Sequence, residues 1–353
     1  MKVLCTPDNA GVMEPAMKAA VEMYLPKADA VYDETDYGPT TLHQIETKGP
    51  GAVPPPQGFS QNTDAEIIIG GILTPFSKES LDMFPNLKII GTCRGGLENI
   101  DVEACNERGI MIVNGYGRNA EAVSDFAMAM MLSEIRNVAR SYRALTEDPT
   151  KGTWNVEFVN AKYIPHIKEA VVGLFGFGYI GKLMAEKLSG FKCKVLVYDP
   201  YVAEDVVRAY GCEPVSKEDL FAKSDIVSVH ARFVEETRGV IGKKEIDAMK
   251  PTAFFINTAR AGLVDYDALL DALQNKRIGG AGLDVFPEEP LPPNSPWRQL
   301  DNCTVVAHMA GGVLAARDYA AKVVAGSIAS ALKNEDVPQI ITKELQQDAA
   351  FRA

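Results

Sequence analysis

Three side chains could together move a proton while a substrate's oxygen is held: Arg260, Glu289 and His308. A histidine is the natural proton carrier near neutral pH. A neighbouring carboxylate would hold its ring and favour the imidazolium, raising its pKa. The planar fork of an arginine suits a substrate's carboxylate and carbonyl oxygens. Taken singly, each has a plainer explanation: a solvated loop arginine, an acidic turn among prolines, a histidine making a structural hydrogen bond. Position is what joins them. Arg260 follows the apolar run AFFINTA, Glu289 lies beyond AGLDV in FPEEP, and His308 follows TVVA. Residues after consecutive strands of one parallel sheet converge on its carboxyl edge. By chemistry alone His230, closing the strand expected at Asp225–His230, is a rival base.

The elements that must position this set begin at Ala170–Pro200, AVVGLFGFGYIGKLMAEKLSGFKCKVLVYDP. Val171–Phe175 is a short apolar run without helical spacing, as expected of a parallel strand buried on both faces. Gly176, Gly178 and Gly181 follow at G-x-G-x-x-G spacing. The first glycine makes the turn, the second admits a pyrophosphate, and the third lets the helix lie close to the strand. A helix over Tyr179–Leu188 then points unpaired N–H groups and its positive dipole end at the phosphates. Asp199, closing the next strand, can accept both ribose hydroxyls of NAD and would repel the 2′-phosphate of NADP. NAD is therefore the expected cofactor.

The rest of the chain frames this unit. Its 353 residues suggest two domains, and 46% hydrophobic content marks a globular protein. The formal net charge of −11 argues against nucleic acid or an anionic membrane as partner. Six scattered cysteines without C-x-x-C spacing argue against a metal site or disulfides and for a reducing, cytoplasmic setting. The N-terminus enters a strand directly, so no leader is expected, and no run is long and apolar enough to span a membrane. Strands and helices alternate through the first hundred residues as in a parallel α/β domain. Gly49–Gly58 is expected to be an extended surface loop. Asn119–Leu145, free of Pro and Gly, reads as one long helix whose apolar residues cover more than one face. It is expected to link two domains and pack on a second subunit, the alternative being a helix folded back on its own domain. Further β-α units follow, the last strand at Val305–Ala307 and a closing helix at Val313–Leu332.

The segments GLFGFGYIG, NTARAGLVD, AGLDVFPEEP and AHMAGG resemble those of the NAD-dependent D-2-hydroxyacid dehydrogenases, a family that includes phosphoglycerate and glycerate dehydrogenases. The resemblance covers nearly the whole chain. It implies two Rossmann-like or flavodoxin-like α/β domains with parallel sheets and a cleft between them, in a homodimer built through helix 119–145. Residues 1–117 and 313–353 would form the substrate-binding domain, and 118–312 the NAD-binding domain. It puts the family's catalytic set on Arg260, Glu289 and His308. Tyr179, Ile180, Asp199, His230, Thr258, Ala259 and Asp284 would contact NAD, and the loop Arg94–Gly95–Gly96 within GTCRGGLENID would hold the substrate's carboxylate.

Two departures bear on specificity. Arg94 stands where the family usually has glycine; it either supplies charge for an acidic or phosphorylated substrate or pairs with Glu98. HARFVEET and Ala307 also replace commoner patterns. The expected reaction is interconversion of a D-2-hydroxy acid and its 2-oxo acid. The alternative is an NAD(H)-sensing binding protein of the co-repressor type; formate oxidation is disfavoured by Glu289, where the family's formate enzymes carry glutamine.

Overall fold

The computed structural model describes residues 1–9, 12–38, 40–147 and 166–342. In chain order its elements are β1 (Lys2–Thr6), α1 (Glu14–Tyr24), β2 (Asp29–Tyr32), α2 (Thr41–Lys48), α3 (Gln57–Gln61), β3 (Ile67–Gly70), α4 (Lys78–Leu81), β4 (Ile89–Thr92), α5 (Val102–Glu107) and β5 (Met111–Asn114). There follow α6 (Ala120–Ile135), α7 (Val138–Glu147), β6 (Val171–Phe175), α8 (Tyr179–Ser189), β7 (Lys194–Tyr198), α9 (Glu204–Ala209), β8 (Glu213–Pro214), α10 (Lys217–Lys223) and β9 (Ile226–Val229). The chain continues through α11 (Lys243–Asp247), β10 (Phe254–Asn257), α12 (Tyr266–Gln274), β11 (Gly280–Leu283), β12 (Cys303–Val305) and α13 (Leu314–Leu332).

The chain divides into two compact units, Met1–Asn119 with Val313–Ala353, and Ala120–Gly312. The first holds a five-stranded sheet in the order β2-β1-β3-β4-β5, with every pairing parallel. Runs such as Ile67–Ile69 and Ile89–Ile90 are apolar on both faces because helices cover both. On one face α1 and α13 pack Met17, Val21, Val324 and Ile328 against Ile89 and Val113. On the other, Phe59, Phe76 and Phe84 cluster over Ile68 and Ile90.

The second unit holds a seven-stranded parallel sheet, β12-β11-β10-β9-β6-β7-β8. Its strand order reverses between β6 and β9, the topological switch where ligands lodge in open α/β sheets. α6 lies on one face with Met130 and Met131 against Val172 and Ile256. Tyr266, Phe286 and Trp297 pack as an aromatic group on the other.

Several expectations need correction. The helix expected over 119–145 is two, α6 and α7, broken at Arg136 and Asn137. Asn137 takes the left-handed conformation, φ 54°, which asparagine tolerates better than most residues. Its Oδ1 accepts from Arg140 Nη1 at 2.9 Å, and Arg140 also pairs with the buried Glu134. The side chains that break the helix thus also satisfy one another. The loop Gly49–Gly58 is not wholly extended: Pro50–Ala52 forms a 3₁₀ turn and α3 starts at Gln57, sinking Phe59 into the core. The last strand lies at Cys303–Val305, two residues early. β2, α2 and β8 were not foreseen, the two strands being edge strands with little apolar signal.

Candidate active site

The carboxyl edge of the seven-stranded sheet gathers most of the expected residues. Gly176 follows β6, Asp199 follows β7, His230 follows β9, Thr258 follows β10, Asp284 follows β11, and His308 lies just past β12.

Gly176 has φ 99°, and a Cβ there would lie 2.5 Å from the backbone nitrogen of Ala231. No side chain can stand at the switch point, so the two strand ends close up. A Cβ on Gly181 would collide with the carbonyl oxygen of Gly176, so this glycine is what lets α8 sit tightly on its turn. Gly178 is the N-cap residue of α8 and offers no side-chain cap, leaving first-turn N–H groups for a ligand. Tyr179 and Ile180 begin that helix. The carboxylate of Asp199 accepts from Phe177 N–H at 2.7 Å and from Tyr201 N–H at 2.9 Å. It therefore braces the glycine turn as well as standing where a ribose would be read.

Around this turn lie buried polar atoms without protein partners. Among the described residues neither ring nitrogen of His230 has a hydrogen-bond partner, nor has Thr258 Oγ1. Burial pushes the His230 pKa down to about 3, so its ring is neutral. Such groups are rare in a folded interior unless a ligand completes them. Together with a glycine turn too tight for any Cβ, they fit a dinucleotide.

The proton-moving set is assembled from the same edge. His308 Nδ1 lies 2.7 Å from Glu289 Oε2, while Glu289 Oε1 accepts from Phe286 N–H at 2.8 Å. The bond to Glu289 raises the His308 pKa, outweighing burial and the opposing charge of Arg260. Burial alone would raise Glu289, but the His308 bond and the Phe286 N–H hold it below the ordinary glutamate value. Both shifts favour the charged forms, imidazolium and carboxylate. Among the described residues Nε2 of His308 has no protein partner.

The backbone at His308 is strained, with φ 52°. Asp284, fully buried, fixes it: its carbonyl accepts from His308 N–H at 2.9 Å, and its carboxylate from Met309 N–H at 2.7 Å and Ala310 N–H at 3.0 Å. Arg260 is exposed, its Nη1 donating to the Ala259 carbonyl at 2.9 Å. Two residues not foreseen hold its loop. Asn257 accepts from Ala259 N–H at 3.0 Å and donates to the Arg260 carbonyl at 3.3 Å; Tyr266 binds Asn257 and the Val285 carbonyl. An asparagine ending a strand was a readable turn signal; the Tyr266 contact was not.

Arg94, Gly95 and Gly96 lie in the first unit, after β4. Arg94 is buried and donates to Glu46 at 3.1 Å and Glu98 at 3.0 Å. Of the two readings of Arg94, the pair with Glu98 is the one present. The Gly95 carbonyl accepts from Asn114 Nδ2 at 2.7 Å. All six cysteines are free, and no group of three metal-ligating side chains comes together among the described residues.

Residues 128–310 match the family described as D-isomer specific 2-hydroxyacid dehydrogenase, NAD binding domain. The chain belongs to that family. It is 34% identical to a glyoxylate reductase of Thermofilum pendens, over 80% of this chain and 83% of that one. Against a D-3-phosphoglycerate dehydrogenase of Mycobacterium tuberculosis it is also 34% identical, over 79% of this chain but 51% of the longer relative. Among solved structures, the D-mandelate dehydrogenase of Rhodotorula graminis superposes with a TM-score of 0.78 at 25% identity, 97% of each chain being covered. This member of the family is thus an NAD-dependent oxidoreductase that interconverts a D-2-hydroxy acid and its 2-oxo acid.

Proposed function

We propose that His308 is the acid–base residue of this reaction, with Glu289 its positioning partner and Arg260 the clamp on the substrate's carboxylate and carbonyl oxygen. The observation that carries this reading is the 2.7 Å His308–Glu289 pair, which leaves Nε2 unpartnered among the described residues, with the exposed Arg260 near enough for its charge to act on the ring. NAD, when bound, supplies the hydride acceptor for carbon 2 of the hydroxy acid and, reduced, the donor for the oxo acid. Gly176, Gly178, Tyr179, Ile180 and Gly181 would hold its pyrophosphate, Asp199 its ribose, and His230, Thr258, Ala259 and Asp284 would line the remainder.

In the oxidative direction neutral His308 accepts the hydroxyl proton at Nε2 while the Glu289 carboxylate stabilises the positive charge that develops on the ring. In reduction the imidazolium returns that proton to the carbonyl oxygen. Arg260 binds the substrate's anionic end and polarises the same oxygen. His230, held neutral by burial, contributes shape and hydrogen-bonding capacity rather than a proton. Because Asp199 also braces the glycine turn, its assignment to ribose makes turn geometry and NAD preference two effects of one carboxylate.

The loop Arg94–Gly96 is assigned to the substrate, with Gly95 and Gly96 as the contacting residues. We further assign the chain to the cytoplasm, which its six free thiols support, and to a homodimer. For the dimer the support is α7: Val138, Tyr142 and Leu145 fall on one helical stripe and are 60%, 71% and 53% exposed. Turnover of 2-oxo acids with NADH in wild type and His308→Ala tests the catalytic reading. Turnover by the variant near the wild-type rate would overturn it. A monomeric mass in solution for wild type would overturn the dimer.

A further inference from the structure

Arg118 is half-buried at the carboxyl edge of the five-stranded sheet and has no ion pair among the described residues. It closes the turn Asn114–Arg118 after β5, and that turn lies directly on the loop 93–96. Gly115 N–H donates to the Arg94 carbonyl, Asn114 Nδ2 to the Gly95 carbonyl at 2.7 Å, and Arg118 N–H to the Gly115 carbonyl at 3.0 Å. Gly115 is fitted so closely that a Cβ would stand 3.1 Å from the Cys93 carbonyl carbon, and Gly117 takes φ 86° to complete the turn. The position of Arg118 relative to the loop is therefore set by backbone, not by a flexible stem.

Its guanidinium has no ion pair among the described residues, and its Nε, sealed from solvent, has no hydrogen-bond partner. Arg94 next door is different, its charge already shared between Glu46 and Glu98. Burial chiefly lowers its pKa; Arg94 and Arg317 of α13 add to that, against the opposing influence of Cys93 and of Asp8, whose carboxylate accepts from Leu73 N–H at 2.7 Å. Arg317, in the first turns of α13, likewise has no ion pair among the described residues. In a chain of net charge −11, two half-buried guanidinia without an ion pair among the described residues are not explained by stability. Taking a cation partly out of water without pairing it costs free energy, and functional sites are where such a cost persists.

We propose that Arg118, assisted by Arg317, forms an anion subsite beside the loop 94–96 that selects 2-oxo acids bearing a second anionic group, a carboxylate or a phosphate at the far end from carbon 1. The planar fork of arginine matches either group. The inference rests on the assignment of loop 94–96 to the substrate. It moves the charge selectivity that the sequence suggested for Arg94 to a residue whose charge is still available.

The test compares pairs of substrates that differ in the second charge: phosphohydroxypyruvate against hydroxypyruvate, and 2-oxoglutarate against 2-oxobutyrate, each with NADH. Wild type is expected to favour the charged member of at least one pair in kcat/KM, and which pair tells phosphate from carboxylate. In Arg118→Gln the charged-over-uncharged ratio should fall by about tenfold or more, the loss of one charge-assisted hydrogen bond, mostly through KM. Arg118→Lys should keep part of it, and Arg317→Gln should lose less. A ratio within about twofold of wild type in Arg118→Gln, or equal losses for both members of each pair, would overturn the proposal. Calorimetric binding of inorganic phosphate to the full chain is a separate readout. Phosphate bound by wild type and lost in both Arg118→Gln and Arg118→Ala supports the subsite, whereas equal binding overturns it. A wild type inactive on all four acids would defeat the catalytic reading instead, and the phosphate titration would still decide the subsite.

Discussion

At the carboxyl edge of the seven-stranded sheet charges answer one another, and at the edge of the five-stranded sheet one is left over. His308 has Glu289, and Asp284 has two backbone N–H groups to satisfy its carboxylate. At the other sheet's edge Arg94 has two ion pairs, with only its buried Nη1 lacking a partner, while Arg118 has no ion pair among the described residues. A paired charge holds geometry and sets a proton's affinity; an unpaired one waits for a ligand. On this contrast the first edge is the one proposed to move a proton, and the second the one proposed to read charge.

The largest effect that would break the contrast is at His308. His308→Ala should lower kcat by about 10² to 10⁴, the span of general acid–base catalysis, while NADH binding, followed by fluorescence, persists. Glu289→Gln comes next, with a loss of about tenfold and a displaced pH profile. Reduction needs the imidazolium, so its kcat/KM falls as pH rises through the His308 pKa, which Glu289 holds above the ordinary histidine value. Removing the anion should move that falling limb to lower pH; an unmoved limb would mean that the carboxylate does not tune the ring. For stability, the pair's contribution is complete between about pH 4.5 and 6.5; it is lost as pH rises through the raised His308 value and as pH falls through the lowered Glu289 value.

Asp199→Ala should narrow the preference for NAD over NADP by about tenfold, measured as a ratio of kcat/KM values. Because the carboxylate also braces Phe177 and Tyr201, Asp199→Asn is the sharper variant. Selectivity unchanged in both would place ribose reading elsewhere. The smallest effect is expected at Arg94. Arg94→Met should cost about 1–2 kcal/mol of stability, since Glu46 and Glu98 are partly screened by solvent, and should leave the preference for charged substrates closer to wild type than Arg118→Gln does. The reverse order of preference losses would restore Arg94 as the selecting charge.

What could be read from the sequence follows from which interactions are local. The glycine turn, Asp199 and the residues after β10, β11 and β12 were legible because a parallel sheet brings successive strand ends to one edge. The break at Asn137 was not, since neither Pro nor Gly marks it and its partners Glu134 and Arg140 only make sense once the helix has turned. Arg94 was half legible: Glu98 lies one helical turn away in sequence, but Glu46 is 48 residues distant. The isolation of Arg118 was illegible in principle, because the lack of a partner is a property of the folded neighbourhood. Phe59, just past the proline-rich stretch Gly49–Gly58, carries no local sign that it enters the core.

The discontinuity of the first unit has a consequence for how the chain acquires its shape. The face of the five-stranded sheet carrying Ile89 and Val113 is covered by α13, and Gly91 is bare so that Val324 and Ile328 can reach it. During synthesis the five strands and α1 emerge first, and α13, the rest of that face's cover, last, after all of Ala120–Gly312. The second unit, continuous in sequence, can therefore complete its core while the first still exposes an apolar sheet face to chaperones and to other nascent chains. Pulse-labelled hydrogen exchange during refolding should find β6, β9 and β10 protected before β3 and β4. Simultaneous protection would mean that the earlier segment holds its form without its last helix.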